Sequence, residues 1–216
     1  MSWTVKTCFV TLIVLFLWRD GEVAEACKCL PKHPQQYFCD ADVVIRATVG
    51  KHEEVENGPF GNPTNLKKYK ITQIQLYKAP NLTQEFKAFY TADSSAACGV
   101  TPAEGDYVIA GNLESNGNLH VSLCGFMVLW DSITVVQKQG LCGQYAKNCD
   151  CTITRCHSTP CGISHKMECL WTDDLVQNHN GRKWLQEKYS ICVKRPDNSC
   201  SWQSRRKSHS SKNEES

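Results

Sequence analysis

Between Val43 and Leu123 the apolar residues fall in short blocks and alternations, which is the pattern of strands rather than helices. Val43-Val44-Ile45-Arg46-Ala47-Thr48-Val49 is rich in β-branched residues and predicts the first strand. Over Lys68 to Tyr77, Tyr69 and Ile71 share one phase of the alternation, while Ile74 and Leu76 share the other. A period of two that slips by one residue predicts a β-bulge, and a bulge bends a strand as the corner of a barrel requires. Phe86 to Thr91, Asp106 to Ala110 and Leu119 to Leu123 supply three more strands, with Asn116-Gly117 as a tight hairpin signal between the last two. Five strands with one bent member predict a small closed barrel in a mainly β chain.

Helical signals are fewer. Pro34 to Phe38 reads as a short helix. Trp130 to Lys147 carries a partial stripe of Ile133, Val136 and Tyr145 behind a candidate cap at Asp131 or Ser132, interrupted by Gly140 and Gly143. No internal repeat is visible.

The amino terminus reads as a secretory leader. Lys6 is a weakly basic start, Cys8 to Trp18 is a short apolar run, and Ala24-Glu25-Ala26 offers small residues at a cleavage site. A membrane anchor would want about 20 apolar residues. A bacterial lipoprotein would want small apolar residues before the cysteine, where Glu25 fits badly. Cleavage after Ala26 is expected, so residues 1–26 are a signal peptide and the mature chain begins at Cys27, in the extracellular space or matrix.

That reading changes the meaning of the cysteines. Of 14, Cys8 leaves with the leader; the remaining thirteen, in an exported chain, make a disulfide framework with one thiol left over. Spacing does not fix the pairing, because twelve cysteines allow roughly ten thousand connectivities. Five cysteines lie between Cys27 and Cys124, and eight between Cys142 and Cys200. The first part can build its own core; the second needs staples. The expected division is 27–149, then a cysteine-rich domain of hairpins and loops over 150–202, then a disordered Ser- and Lys/Arg-rich tail over 203–216. Cys149/Cys151 and Cys156/Cys161, with His157 nearby, have structural zinc as a rival reading.

Charge excludes one class of partner. Without the leader, 22 basic residues face 19 acidic ones, a nearly neutral balance that argues against nucleic-acid binding driven by bulk charge. Arg205-Arg206-Lys207 is a candidate contact for sulfated glycosaminoglycans, with plain solubilisation as the alternative. Asn81-Leu82-Thr83 is an N-glycosylation acceptor, while Asn62-Pro63-Thr64 is excluded by its proline. His33 and Gln35 read as structural supports. Asp40, Asp42 and Arg46 read as a polar cluster or a solvated face. No nucleophile with its base and no Gly-rich phosphate loop is visible.

A chain beginning Cys27-Lys28-Cys29 has an α-amino group beside a carbonyl, a pair able to grip a metal ion. If both cysteines are bridged, the pair is held rigid.

Residues 27–39 (Cys-Lys-Cys-Leu-Pro-Lys-His-Pro-Gln-Gln-Tyr-Phe-Cys), followed by Val43-Val44-Ile45-Arg46-Ala47, resemble the opening of a tissue inhibitor of metalloproteinases. Ser94-Ser95-Ala96-Ala97-Cys98-Gly99-Val100 resembles its second signature. Cys149-Asp150-Cys151, Cys156-His157-Ser158-Thr159-Pro160-Cys161 and Glu168-Cys169-Leu170-Trp171-Thr172-Asp173 resemble its carboxy-terminal half. The similarity runs from Cys27 to about Trp202.

The resemblance implies an OB-fold-type barrel (the netrin-like module) with flanking helices, and a small disulfide-rich carboxy-terminal domain. It implies bridges Cys27–Cys98, Cys29–Cys124, Cys39–Cys149, Cys151–Cys200, Cys156–Cys161 and Cys169–Cys192. Cys142 is left unpaired, where the family does not usually have a cysteine. The implied function is a secreted inhibitor of zinc metalloproteinases of the extracellular matrix, not an enzyme. The amine and carbonyl of Cys27 would chelate the catalytic zinc of the target, and the inhibitor would carry no cofactor of its own. Cys27, Lys28, Cys29 and Leu30 would form one protease-binding ridge with Ser94, Ser95, Ala96 and Ala97. Lys28, where the family usually has Thr or Ser, would enter the first primed pocket. Matrix metalloproteinases and related zinc endopeptidases are the implied partners, with glycosaminoglycans as a further candidate and neither nucleic acid nor a membrane span expected. The alternatives are a netrin-like extracellular binding module without protease inhibition, and a secreted enzyme.

Overall fold

A computed structural model of the chain describes residues 27–55, 66–175 and 185–204. The expected leader, the Asn62-Pro63-Thr64 tripeptide and Arg205-Arg206-Lys207 lie outside the described residues. Helix α1 (Pro34–Asp40) leads into β1 (Val43–Val55), β2 (Leu66–Lys78), β3 (Ala88–Ala92), β4 (Gly105–Leu113), β5 (Leu119–His120) and β6 (Phe126–Leu129). The pairing order is β1-β2-β3-β5-β4-β6, and β1 pairs again with β4, which closes a five-stranded barrel. Only β3 and β5 run parallel within this sheet.

The β-branched block of β1 is explained by burial on both faces. Val43, Ile45, Ala47 and Val49 join the barrel interior with Tyr69, Ile71, Phe89, Ile109 and Leu119. Val44 joins a second cluster with Phe38, Val108, Ala110, Tyr145 and Ile191. Each fully buried Val or Ile contributes roughly 1.5–3 kcal/mol. Arg46 interrupts the block by laying its guanidinium 4.1 Å over the Trp130 ring and pairing with Asp106 at 3.2 Å.

The phase slip in β2 is a bulge. Arg46 pairs with Gln75 and Ala47 with Gln73, so Ile74 is the extra residue. Ile74 is exposed, and Leu76 returns to pack against the barrel interior. Asn116-Gly117 makes the expected turn: Gly117 has φ +81°, and Glu114 N–H donates to the Asn118 carbonyl at 2.9 Å. The sixth strand, β6, pairs with β4 on the same edge as β5 and was not foreseen from its sequence.

The helix expected over Trp130–Lys147 is broken into pieces. A 3-10 turn (Trp130–Ser132) precedes α2 (Val135–Gln139), a π-type turn (Gly140–Gln144) and α3 (Tyr145–Lys147). The cap is neither Asp131 nor Ser132 but Thr134, which forms a reciprocal capping box with Gln137. Gly143 at φ +120° and Cys142 at ψ +21° leave helical geometry, which is why the stripe fails there.

The remainder contains β7 (Thr152–Arg155), β8 (Glu168–Trp171), α4 (Gln186–Tyr189), β9 (Ser190–Lys194) and β10 (Cys200–Ser204). β9 and β10 form an antiparallel hairpin, but β7 and β8 pair in parallel, so hairpins describe only half of this region. Gln203 and Ser204, expected in the tail, belong to β10. Four half-cystines, Cys151, Cys169, Cys192 and Cys200, pack with Ile153 and Trp171 into a third cluster. Among the described residues no helix is long and apolar enough to cross a membrane.

Candidate functional site

The first residues of the described chain are held by two bridges. Cys27 pairs with Cys98 and Cys29 with Cys124, with Cα atoms 5.2 and 5.1 Å apart. The bridges lie side by side: the Cys27 sulfur is 3.6 Å from that of Cys124 and 3.8 Å from that of Cys29. Lys28 stands exposed between them, and Leu30 is 81% exposed.

Helix α1 fixes the chain behind Cys29. His33 caps it: its Nδ1 accepts the Gln35 N–H at 3.2 Å, and its Nε2 lies 3.3 Å from the Gln186 carbonyl oxygen. That pattern is the neutral tautomer with hydrogen on Nε2. The ring is fully buried, 5.9 and 5.1 Å from the Trp171 and Trp202 rings. Burial lowers its pKa from 6.5 to about 4, against smaller upward contributions from the Gln186 carbonyl and Asp173. Gln35 Nε2 donates to the carbonyls of Asn148 and Cys192 at 3.1 and 2.8 Å, and its Oε1 accepts Cys192 N–H at 2.9 Å. The side-chain amide therefore covers a free edge of β9. Lys32 pairs with Asp40 at 2.6 Å.

Residues 94–98 form a tight turn beside the Cys27 bridge. The Ser94 carbonyl accepts from Ala97 N–H at 3.2 Å and Gly99 N–H at 2.8 Å, and its hydroxyl accepts a third bond from Ala97 N–H at 3.3 Å. Cys98 adopts φ +64° to bring its sulfur to Cys27. Gly99 is required, because a Cβ there would lie 2.0 Å from the Ala92 carbonyl oxygen. Ser94, Ser95, Ala96 and Ala97 are all exposed. Leu123 N–H donates to the Cys98 carbonyl at 2.7 Å, which adds the segment before Cys124 to the same surface. Leu123 is 50% exposed and was not singled out from sequence; its place next to a bridged cysteine is the signal that marks it.

The structure thus joins Cys27, Lys28, Cys29 and Leu30 to Ser94–Ala97 through one disulfide. Asp40, Asp42 and Arg46 do not form a single cluster: Asp42 accepts the Leu113 N–H, Asp40 pairs with Lys32, and Arg46 pairs with Asp106. The remaining bridges are Cys39–Cys149, Cys151–Cys200, Cys156–Cys161 and Cys169–Cys192. These bonds consume the sulfurs that structural zinc would need, including the close trios Cys27/Cys29/Cys124 and Cys151/Cys192/Cys200. Cys142 is free and exposed. Asn81 lies on the exposed β2–β3 loop, with its Oδ1 accepting from the Thr83 N–H at 3.0 Å and hydroxyl at 2.8 Å.

A family model described as tissue inhibitor of metalloproteinase matches residues 25–202. The chain belongs to the tissue inhibitor of metalloproteinase family. It is 44% identical over 208 residues to metalloproteinase inhibitor 2 of Homo sapiens, covering 94% of this chain and 92% of that protein. It is 45% identical over 185 residues to metalloproteinase inhibitor 2 of Bos taurus (83% and 82% covered) and 42% identical over 196 residues to that of Gallus gallus (88% and 87% covered). As a member of this family it is an inhibitor rather than an enzyme.

Proposed function

We propose that this chain is a secreted inhibitor of zinc metalloproteinases that acts through the α-amine and carbonyl of Cys27. The observation that carries the reading is the pair of adjacent bridges, which hold Cys27 and Cys29 while leaving Lys28 exposed. In this reading the leader is removed after Ala26, so that the nitrogen of Cys27 becomes a primary amine. Such a group has a pKa near ~7.7–8.0, so losing its proton to a metal costs little at neutral pH. A catalytic zinc keeps one position for water. Cys27 takes that position, and the zinc belongs to the target; this chain needs no cofactor of its own.

Rigidity supports affinity. Two disulfides and the capped helix α1 remove most of the freedom that the amino-terminal segment would otherwise lose on binding. The Ser94–Ala97 turn and Leu30 extend the ridge along the substrate cleft to either side. Lys28 enters the first primed pocket and keeps its ammonium in water by extending along the wall, since burying it unpaired would cost several kcal/mol. Matrix metalloproteinases are the proposed targets, in the extracellular space. The domain division at residues 149–151 and glycosylation of Asn81 belong to the same reading.

The test is to add one alanine before Cys27. The extension removes the chelating amine and leaves every bridge in place. Inhibition of a matrix metalloproteinase should fall by orders of magnitude while the unfolding midpoint stays fixed. Unchanged inhibition by the extended chain would refute chelation and favour contact by a binding module that ignores the terminus.

A further inference from the structure

Beside the Cys29–Cys124 bridge the outer face of β4 dips into a hollow of about 210 Å³, and Cys124 itself is part of its lining. The floor is short of side chain: Ala41 and Ala110 end at Cβ, and Gly111 and Gly125 offer bare backbone. Tyr37 of α1 walls one side, its ring stacked on Phe126 at 5.5 Å. Register sets Asn112 of β4 opposite His120 of β5, so both side chains rise from one face of the sheet. Ser122 follows two residues later in the same lining. The side chains of Asn112, His120 and Ser122 have no hydrogen bond or ion pair among the described residues. Lys32 and Asp40 complete the hollow as a pair at 2.6 Å. The Tyr37 hydroxyl accepts the Lys32 N–H at 3.3 Å, which leaves its own hydrogen to donate. Of the polar side chains in the lining, all but Asp40 can therefore act as donors.

We propose that this hollow is a specificity contact for the target metalloproteinase and takes a carboxylate side chain from the rim of the target's substrate cleft, with Asn112, His120 and Ser122 donating to it. The inference rests on the inhibitory reading of the ridge. Continuity supplies the partner: Cys124 belongs both to the bridge that holds Cys29 and to the hollow, and exposed Leu123 lies between the hollow and Cys98. Donor chemistry selects the occupant. A carboxylate accepts through two oxygens, and hydrogen bonds to a charged acceptor are roughly twice as strong as neutral ones. Lys32 offsets Asp40, so the incoming charge meets a lining with balanced formal charge. A cation from the target would find one carboxylate, already paired. Zinc chelation is common to all such enzymes, so a contact away from the zinc is where targets can be told apart.

The experiment measures inhibition constants of the mature protein against the catalytic domains of a panel of matrix metalloproteinases, each also prepared with its rim aspartates and glutamates changed singly to alanine. Asn112→Ala/His120→Ala/Ser122→Ala should weaken inhibition of at least one native enzyme on the order of tenfold. Removing one rim carboxylate from that enzyme should weaken the native inhibitor to the same degree and the triple variant hardly at all, since one contact cannot be lost twice. Asn112→Gln/Ser122→Thr keeps the donors and should stay near native. Unchanged inhibition across the panel, independent losses for every carboxylate removed, or an equal loss in the donor-keeping variant would each overturn the proposal. Urea midpoints check folding, and His120→Ala alone carries the same cycle if the triple variant does not fold. The chain extended by one alanine before Cys27 separates the two readings. Its loss of inhibition, beside native inhibition by the triple variant, removes the hollow and keeps chelation. Inhibition that survives the extension yet falls on adding the triple change removes chelation and keeps the hollow.

Discussion

Acidification should weaken this fold through one imidazole. His33 accepts a hydrogen bond on Nδ1 from the Gln35 amide, so protonation would set two donors against each other at 3.2 Å in a dry site. Burial is the dominant cause of its low pKa, about 4 against 6.5 for an exposed histidine. The unfolded chain therefore takes up a proton near pH 6.5 that the folded chain refuses until about pH 4. Stability is fully present above 6.5 and is lost as pH falls through that window, at about 1.4 kcal/mol per pH unit, to a total of roughly 3 kcal/mol. Glu168 and Asp106, whose pKa values are lowered chiefly by hydrogen bonds from Thr154 and Thr48, act in the same direction but only below the ordinary carboxylate range of about 4.5. The interval from pH 6.5 to 4.5 thus isolates His33.

The assay is urea unfolding under non-reducing conditions at pH 7.5, 6.5, 5.5 and 4.5, on the native protein and on His33→Asn. Asparagine can still cap α1 but does not titrate. Trp171 and Trp202 flank the ring and report unfolding by fluorescence. The native protein should lose about 2–3 kcal/mol between pH 6.5 and 4.5, and the variant should be nearly flat whatever its absolute stability. Equal pH slopes for the two proteins would refute the assignment.

Three further outcomes follow from the geometry. Gly99→Ala should lower stability by about 3 kcal/mol and weaken protease inhibition, because the new methyl meets the Ala92 and Ser94 carbonyls, which are backbone and cannot swing aside; urea midpoints and inhibition constants read both effects. Gln35→Leu should cost about 3 kcal/mol in the same unfolding assay, since it leaves the Cys192 N–H and the Asn148 and Cys192 carbonyls without their partner. Lys28→Thr should tighten inhibition of metalloproteinases whose first primed pocket is shallow and leave deep-pocket enzymes little changed; identical inhibition constants across such a panel would argue against that pocket as its location.

Local chemistry was legible in the sequence where it wrote itself into a short pattern. The slip between Ile71 and Ile74 is visible within one strand because a bulge displaces every later side chain to the opposite face. Asn116-Gly117 is visible because a left-handed residue is needed at that turn. Long-range pairing was not legible in the same way. Phe126-Met127-Val128-Leu129 has no alternation, because β6 is half-buried along most of its length rather than buried on one face, so nothing in its composition announces β4 as its partner. The parallel pairing of β7 with β8 runs through a crossover that contains the Cys156–Cys161 bridge, and the turn residues there read equally well as a hairpin.

The ridge shows both kinds of information in one place. Its residues could be chosen from sequence because Cys27–Cys39 and Ser94–Val100 resemble the family's signatures, and that resemblance implies the ridge. What sequence could not supply is the reason the constraint holds. His33 and Gln35 are polar residues in a surface-like stretch, yet both are fully buried, because His33 packs against the Trp171 and Trp202 rings and Gln35 bonds to the β9 backbone. Their hydrogen bonds tie the segment carrying Cys27 and Cys29 to the disulfide-rich region more than 100 residues away. The rigidity of the Cys27–Leu30 segment is therefore a property of both halves of the chain: loosening the contact between Gln35 and β9 should blunt the proposed ridge even with the Cys27–Cys98 and Cys29–Cys124 bridges intact.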